Sequence, residues 1–182
     1  KLCVSVGDRA YSTAECIIKA SEIDHQVHIS RLRNNRTLYH PVTITSTKRG
    51  RPRRYGEPFR LNRPLDCASP NECTTLKTLT KRGRELTIQF SCWNKLFMRG
   101  KKSMHMSEHP LRLVKIEIKN ASGLVVFKRP LWLVVSGKRA HELSLGEIYS
   151  IYCQRFDIEH FFRFGKNKLL LDKSQSPDVH HE

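Results

Sequence analysis

Residues 2–8, "LCVSVGD", alternate apolar and polar positions. A two-residue period of this kind predicts a strand, and this strand delivers a carboxylate, Asp8, at its tip. The next run, "STAECIIKASEI", carries its apolar residues at helical spacing. Ser12 with Glu15 three residues later reads as a capping box at the start of that helix. "QVHISRL" alternates again as a second strand. Residues 2–32 therefore predict a strand-helix-strand unit.

From residue 33 to 137 the pattern changes. Short alternating runs, broken by proline, glycine and basic residues, predict strands at "TLYHPVTITS", "ELTIQFSCW", "RLVKIEIKN", "GLVVFK" and "LWLVVS", with "NASG" as a turn. No internal repeat is visible. The run "HELSLGEIYSIYCQRFDIEHFFRFGKNKLLL" then returns to helical spacing. Ile148, Ile151, Ile158 and Phe162 share one face, Ser144 and Glu147 form a second capping box, and Gly165 stands where the helix ends or bends. The expectation is an α/β chain, a mixed sheet with flanking helices, divided as residues 1–32, a β-rich basic insertion at 33–137, and residues 138–182.

Charge narrows the function. The 182 residues hold 33 Lys and Arg against 17 Asp and Glu, a formal net charge of +16, and the sequence pI is about 10.0. Such a surface favours a polyanion, most simply nucleic acid. The bases are spread over loops and strands rather than gathered on one amphipathic helix, which argues against a membrane surface. RNA binding stays open on charge alone. No run approaches the ~18 apolar residues of a membrane span, and no signal peptide is visible, so the expected location is the cytoplasm. The six cysteines form no CxxC pair and read as reduced thiols. The nine histidines show no ligand motif. The chain starts at Lys1, inside a strand-like run, and ends in "SPDVHHE". It reads as a piece of a longer protein.

The candidate chemistry lies in "YCQRFDIEHFFRFGK", residues 152–166. On a helix, Tyr152, Arg155, Glu159 and Lys166 fall within a band of roughly 60°. That sets a carboxylate among bases on one stripe. A strand-tip acid, Asp8, and a helix acid, Glu159, brought together could hold a hard divalent cation through oxygen ligands. Two such metals can drive phosphodiester displacement.

These residues resemble a known family. The pattern Y-x2-R-x3-E-x6-K, here Tyr152, Arg155, Glu159 and Lys166, matches the Y-R-E-K motif of bacterial insertion-sequence DDE transposases at all four positions. "VGDRAYST", residues 6–13, is similar to their segment with the second catalytic Asp. The order of strand, helix, strand, long β insertion and Glu-bearing helix agrees over nearly the whole chain. The resemblance implies an RNase H-like catalytic domain with an Asp, Asp, Glu triad on two Mg²⁺. Asp8 maps to the second Asp and Glu159 to the Glu, and these two are the expected catalytic and metal-binding residues. By the same resemblance the first Asp belongs to an earlier strand, upstream of Lys1, and Asp24, Asp66, Asp157, Asp172 and Asp178 lie in the wrong places to replace it. The chain is thus expected to lack one ligand and to be inactive alone. The implied partner is double-stranded DNA, both element ends and target, with a homodimer on the ends. Arg155 and Lys166 would bind phosphates of the element end, and Tyr152 would lie against the same strand by hydroxyl contact or stacking, with a half-buried packing tyrosine as its alternative.

Three further contacts have a competing reading. Arg49, Arg51 and Arg53 lie in "KRGRPRR", residues 48–54, whose R-G-R-P core is that of minor-groove hooks; a solvated basic loop is the alternative. Trp132 would stack on a flipped base, as in some family members, or pack in the core of "LWLVV". Glu159 would hold metal, or pair with Arg155 or Arg163 at i,i+4. A DNA-binding remnant without catalysis remains a second reading of the whole chain.

Overall fold

The computed structural model describes residues 1–42, 53–63, 67–80, 82–100 and 104–168, side chains 158, 162, 163 and 165–167 excepted. Strand β1 (Cys3–Gly7) runs parallel to β2 (Gln26–Arg31), joined by helix α1 (Ala14–Glu22). The expected strand-helix-strand unit forms. Its helix begins one residue later than the sequence pattern indicates. Thr13, not Ser12, is the cap: its Oγ1 accepts from the Cys16 amide at 3.4 Å. Ser12 turns inward and donates to the Arg9 carbonyl at 2.8 Å, while Glu15 pairs with Lys19 at 3.0 Å.

The remaining strands are β3 (Thr37–Tyr39), β4 (Pro58–Arg60), β5 (Glu72–Leu79), β6 (Glu85–Met98), β7 (Leu111–Asn120) and β8 (Leu131–Ser136). They continue the sheet of β1 and β2 in the order β1-β2-β8-β7-β6-β3-β4, with β5 on β6. Strand β8 hydrogen-bonds antiparallel to β2, pairing Ile29 with Val135. The described middle of the chain is β-rich, and its strands share a mixed sheet with the flanking units. Strand β6 bends where the register shifts between Trp93 and Leu96, and Lys95 there takes a left-handed φ of 58°.

Alternation divides the apolar residues between two faces. On one face Val27, Ile29, Leu133, Val135, Val114, Ile116, Ile88 and Phe90 pack beneath Leu145, Ile148 and Tyr152 of helix α2 (Leu145–Lys168). On the other, Trp132, Val134, Leu113, Trp93 and Leu96 pack with Ile17 of α1 and with Leu38 and Phe59 of β3 and β4. The sheet is thus covered by one helix on each side near β2 and β8.

Three local expectations change. "GLVVFK" forms no strand: Leu124, Val125, Val126 and Phe127 are exposed, with a single bridge from Lys119 to Val125. Strand β7 already pairs with β8 as far back as Ile116–Leu131, so residues 121–130 loop out beyond that ladder. In "TLYHPVTITS" the strand covers Thr37–Tyr39, and residues from 43 lie outside the described part. Helix α2 runs through Gly165 to Lys168. Strand β5, "ECTTLKTL", is exposed at every position. Without a buried face it carries no apolar alternation for a sequence pattern to show.

Candidate active site

Asp8 follows directly from β1, and its loop is held from four sides. The Ala10 amide donates to Asp8 Oδ1 at 2.7 Å, and the Tyr11 amide donates to the Asp8 carbonyl at 3.2 Å. This is an aspartate turn, the side chain standing in for a backbone acceptor. Ser12 ties the loop to Arg9. Gly7 lets the loop close: a Cβ there would lie 2.5 Å from Tyr11 Cβ.

The fourth hold is His28 of β2, which is only 6% exposed. Its Nε2 lies 3.2 Å from the Tyr11 carbonyl, and its Nδ1 lies 2.9 Å from Ser5 Oγ. A carbonyl only accepts, so Nε2 carries the proton and Nδ1 accepts from the Ser5 hydroxyl. Gln26 Nε2 in turn donates to Ser5 Oγ at 3.0 Å. A directed chain therefore runs Gln26 to Ser5 to His28 to the Asp8 loop. Burial pushes the His28 imidazole below its ordinary pKa, with the Tyr11 bond opposing it.

Glu159 is placed by α2. The helix opens with the expected box: the Ser144 amide and hydroxyl donate to Glu147 Oε2 at 2.8 and 2.7 Å, and the Glu147 amide donates to Ser144 Oγ at 3.2 Å. The Ser144 bonds hold the Glu147 carboxyl below the usual carboxylate range. One face then buries Leu145, Ile148 and Tyr152 on the sheet. Further along, Arg155 is mostly buried, with its guanidinium carbon 4.5 Å from the Phe156 ring centre and 5.4 Å from that of Tyr152. It donates from Nη1 to Glu159 Oε1. The expected stripe is formed from Tyr152 to Glu159. Lys166 lies on the same helix, and its side chain is outside the described residues.

Asp8 and Glu159 line one cavity of about 860 Å³. Arg9, Arg31, Arg33, Lys115, Arg129 and Arg155 line it as well, with Glu117, Trp132 and Tyr152. Glu117 is neutralised by Lys115 at 2.8 Å. Among the described residues, Trp132 Nε1, Tyr152 Oη and Arg155 Nε are shielded from solvent and make no well-formed hydrogen bond, with the Tyr152 hydroxyl beside the Arg155 guanidinium. Trp132 is 2% exposed and packs against Trp93 at 5.8 Å, so it has no free ring face for a flipped base and takes the core-packing alternative. Arg53 is exposed and lies 3.9 Å from Glu57; Arg49 and Arg51 fall outside the described residues.

The sequence pattern passed over Arg31, Arg33, Lys115, Glu117 and Arg129. Two signals could have found them. Arg31 and Arg33 stand at the carboxyl end of a parallel strand, where α/β sheets place ligands. Lys115 and Glu117 put charge inside "RLVKIEIKN", an otherwise interior strand.

A family model described as Transposase DDE domain matches residues 1–181. The chain belongs to that family. No curated protein and no solved structure matches it. In this transposase domain the two carboxylates offer the hard oxygen donors a divalent cation takes. The described residues gather no cluster of three His, Cys, Asp or Glu side chains. No helix among the described residues is long and apolar enough to cross a membrane.

Proposed function

We propose that this transposase domain is the later part of an RNase H-like catalytic unit that cuts DNA at the ends of an element and joins them to target DNA. The observation that carries the reading is the shared cavity. It sets Asp8 and Glu159 among six bases.

Asp8 and Glu159 would hold Mg²⁺. Bound metal would supply the charge that in-line phosphodiester displacement needs at the attacking and leaving oxygens. The chain's own groups do the rest. Arg155 would trade Glu159 for a phosphate, which its planar fork grips in two places. Tyr152 Oη and Trp132 Nε1 would donate to oxygens of the same strand. Lys166 and the Arg49, Arg51 and Arg53 segment would add phosphate contacts. The turn held by His28 would keep the Asp8 carboxylate fixed without metal, so that binding does not have to order it.

A third carboxylate is required. Among the described residues the outer edge of β1 has no partner strand, and we place the family's first Asp on a strand added there. Residues 1–182 alone are then expected not to cut DNA. In protein that includes this strand, labelled end DNA should be cut in Mg²⁺, and Asp8→Asn or Glu159→Gln should each abolish cutting while binding persists. Full cleavage by either variant would refute the assignment. A second reading, DNA binding without cleavage, is favoured by the incomplete ligand set. It predicts tight binding and no cutting even in the extended protein.

A further inference from the structure

Beyond the cavity, the far part of the sheet has one open polar face. The register of β5, β6 and β7 fixes three cross-strand rows: Lys77–Thr87–Lys119, Thr75–Gln89–Glu117 and Cys73–Ser91–Lys115. Paired residues in a sheet point to the same side, so all nine share a face. Every one of them is exposed or half-buried, while the alternate positions Ile88, Phe90 and Ile116 are buried beneath the opposite face.

Two of the nine, Lys115 and Glu117, also line the cavity. The face is therefore continuous with the site that holds Asp8 and Glu159. At its outer end the β5–β6 turn is pinned: the Thr80 amide donates to the Arg84 carbonyl at 2.9 Å, and Arg84's amide donates to Thr80 Oγ1 at 3.0 Å. Gly83 supplies the left-handed φ of 71° this turn needs. Arg82 and Arg84 are exposed there. The acids nearby are Glu117, already paired to Lys115, and Glu85, opposite Leu79.

We propose that this face of β5, β6 and β7 is a second contact surface for duplex DNA, carrying the duplex away from the cavity. This rests on the DNA reading of the cavity. Strand spacing puts Lys77 and Lys119 about 10 Å apart, and four residues put Lys115 and Lys119 about 13 Å apart. Those spans are comparable with a major groove about 12 Å wide. Lysines at the margins meet phosphates, and Thr75, Thr87, Gln89 and Ser91 between them offer uncharged hydrogen-bonding groups suited to backbone oxygens. The surface adds affinity and orientation without base specificity.

The test compares wild type with the variant Lys77→Ala/Arg82→Ala/Lys119→Ala, all solvent-accessible positions on the ribbon, on a short end duplex and on one extended by about one turn. Circular dichroism and urea unfolding check that the fold is kept. Wild type should bind the longer duplex more tightly. The variant should lose that gain, roughly ten-fold at ~0.1 M salt, and its slope of log affinity against log salt should drop by about three. Binding to the short duplex should be unchanged. Equal affinity of wild type and variant for the long duplex overturns the proposal. So does a wild-type dimer in the absence of DNA that the three changes dissociate, which would assign the face to a second copy. Wild-type protein that binds neither duplex instead overturns the DNA reading of the cavity, and this surface falls with it.

Discussion

Asp8 closes a strand and Glu159 lies 151 residues later on a helix, yet the two carboxylates line the same cavity. The sheet brings them there: β1 ends in the Asp8 turn, and α2 crosses the face formed by β2, β8 and β7. Arg155 occupies Glu159 in this arrangement. Glu159 is 53% exposed in this i,i+4 pair, and water on its side keeps the pair weak, so a phosphate can displace the carboxylate. Arg155→Ala should weaken binding to unrelated duplexes to the same extent and lower the salt slope by about one. Glu159→Gln should leave binding equal or tighter, because it removes a negative charge beside the DNA. Fluorescence anisotropy with two unrelated sequences checks both; an Arg155 effect confined to one sequence would remove its phosphate role.

His28 gives a pH dependence. Its folded pKa lies below the ordinary 6.5 because the ring is buried. The unfolded chain therefore takes up the proton first as pH falls. The stability His28 contributes is present above about 6.5 and is lost progressively as pH falls through its folded value. His28→Gln can still donate to the Tyr11 carbonyl and does not titrate. Urea unfolding between pH 7 and 5 should show a smaller loss for this variant than for wild type. Parallel curves would place the dependence elsewhere.

Gly7 has no room for a side chain, since a Cβ would meet Tyr11 Cβ at 2.5 Å. Gly7→Ala should destabilise the domain by roughly 1–3 kcal/mol through overpacking. Tyr11→Gly removes the opposing atom. The double variant should accordingly lose less than the sum of the two single changes, a coupling that denaturant titration reads directly.

Trp132 separates packing from DNA contact. Its indole is 2% exposed against Trp93, so Trp132→Ala should cost ~3–5 kcal/mol of stability. Trp132→Phe keeps much of the ring and removes the unpartnered N–H. Its DNA affinity should fall about five-fold, the worth of a hydrogen bond near 1 kcal/mol. Unchanged affinity in a well-folded Trp132→Phe protein would make the residue purely structural.

Local physics was legible in the sequence. Alternation gave β1, β2, β6, β7 and β8, because each turns one apolar face to the core, and the Ser144–Glu147 box gave the start of α2, because capping depends on neighbours three residues apart. The Tyr152, Arg155 and Glu159 stripe followed from helical rotation alone. Three things needed the tertiary structure. The strand β5 and the loop at residues 121–130 depend on which ladder claims which edge, which local pattern does not encode. The cap of α1 passed from Ser12 to Thr13 once the Asp8 turn drew Ser12 inward. The cavity wall of Arg31, Arg33, Lys115 and Arg129 draws on three segments distant in the chain. Only the pairing of β2 with β8 and of β8 with β7 brings those segments around one site.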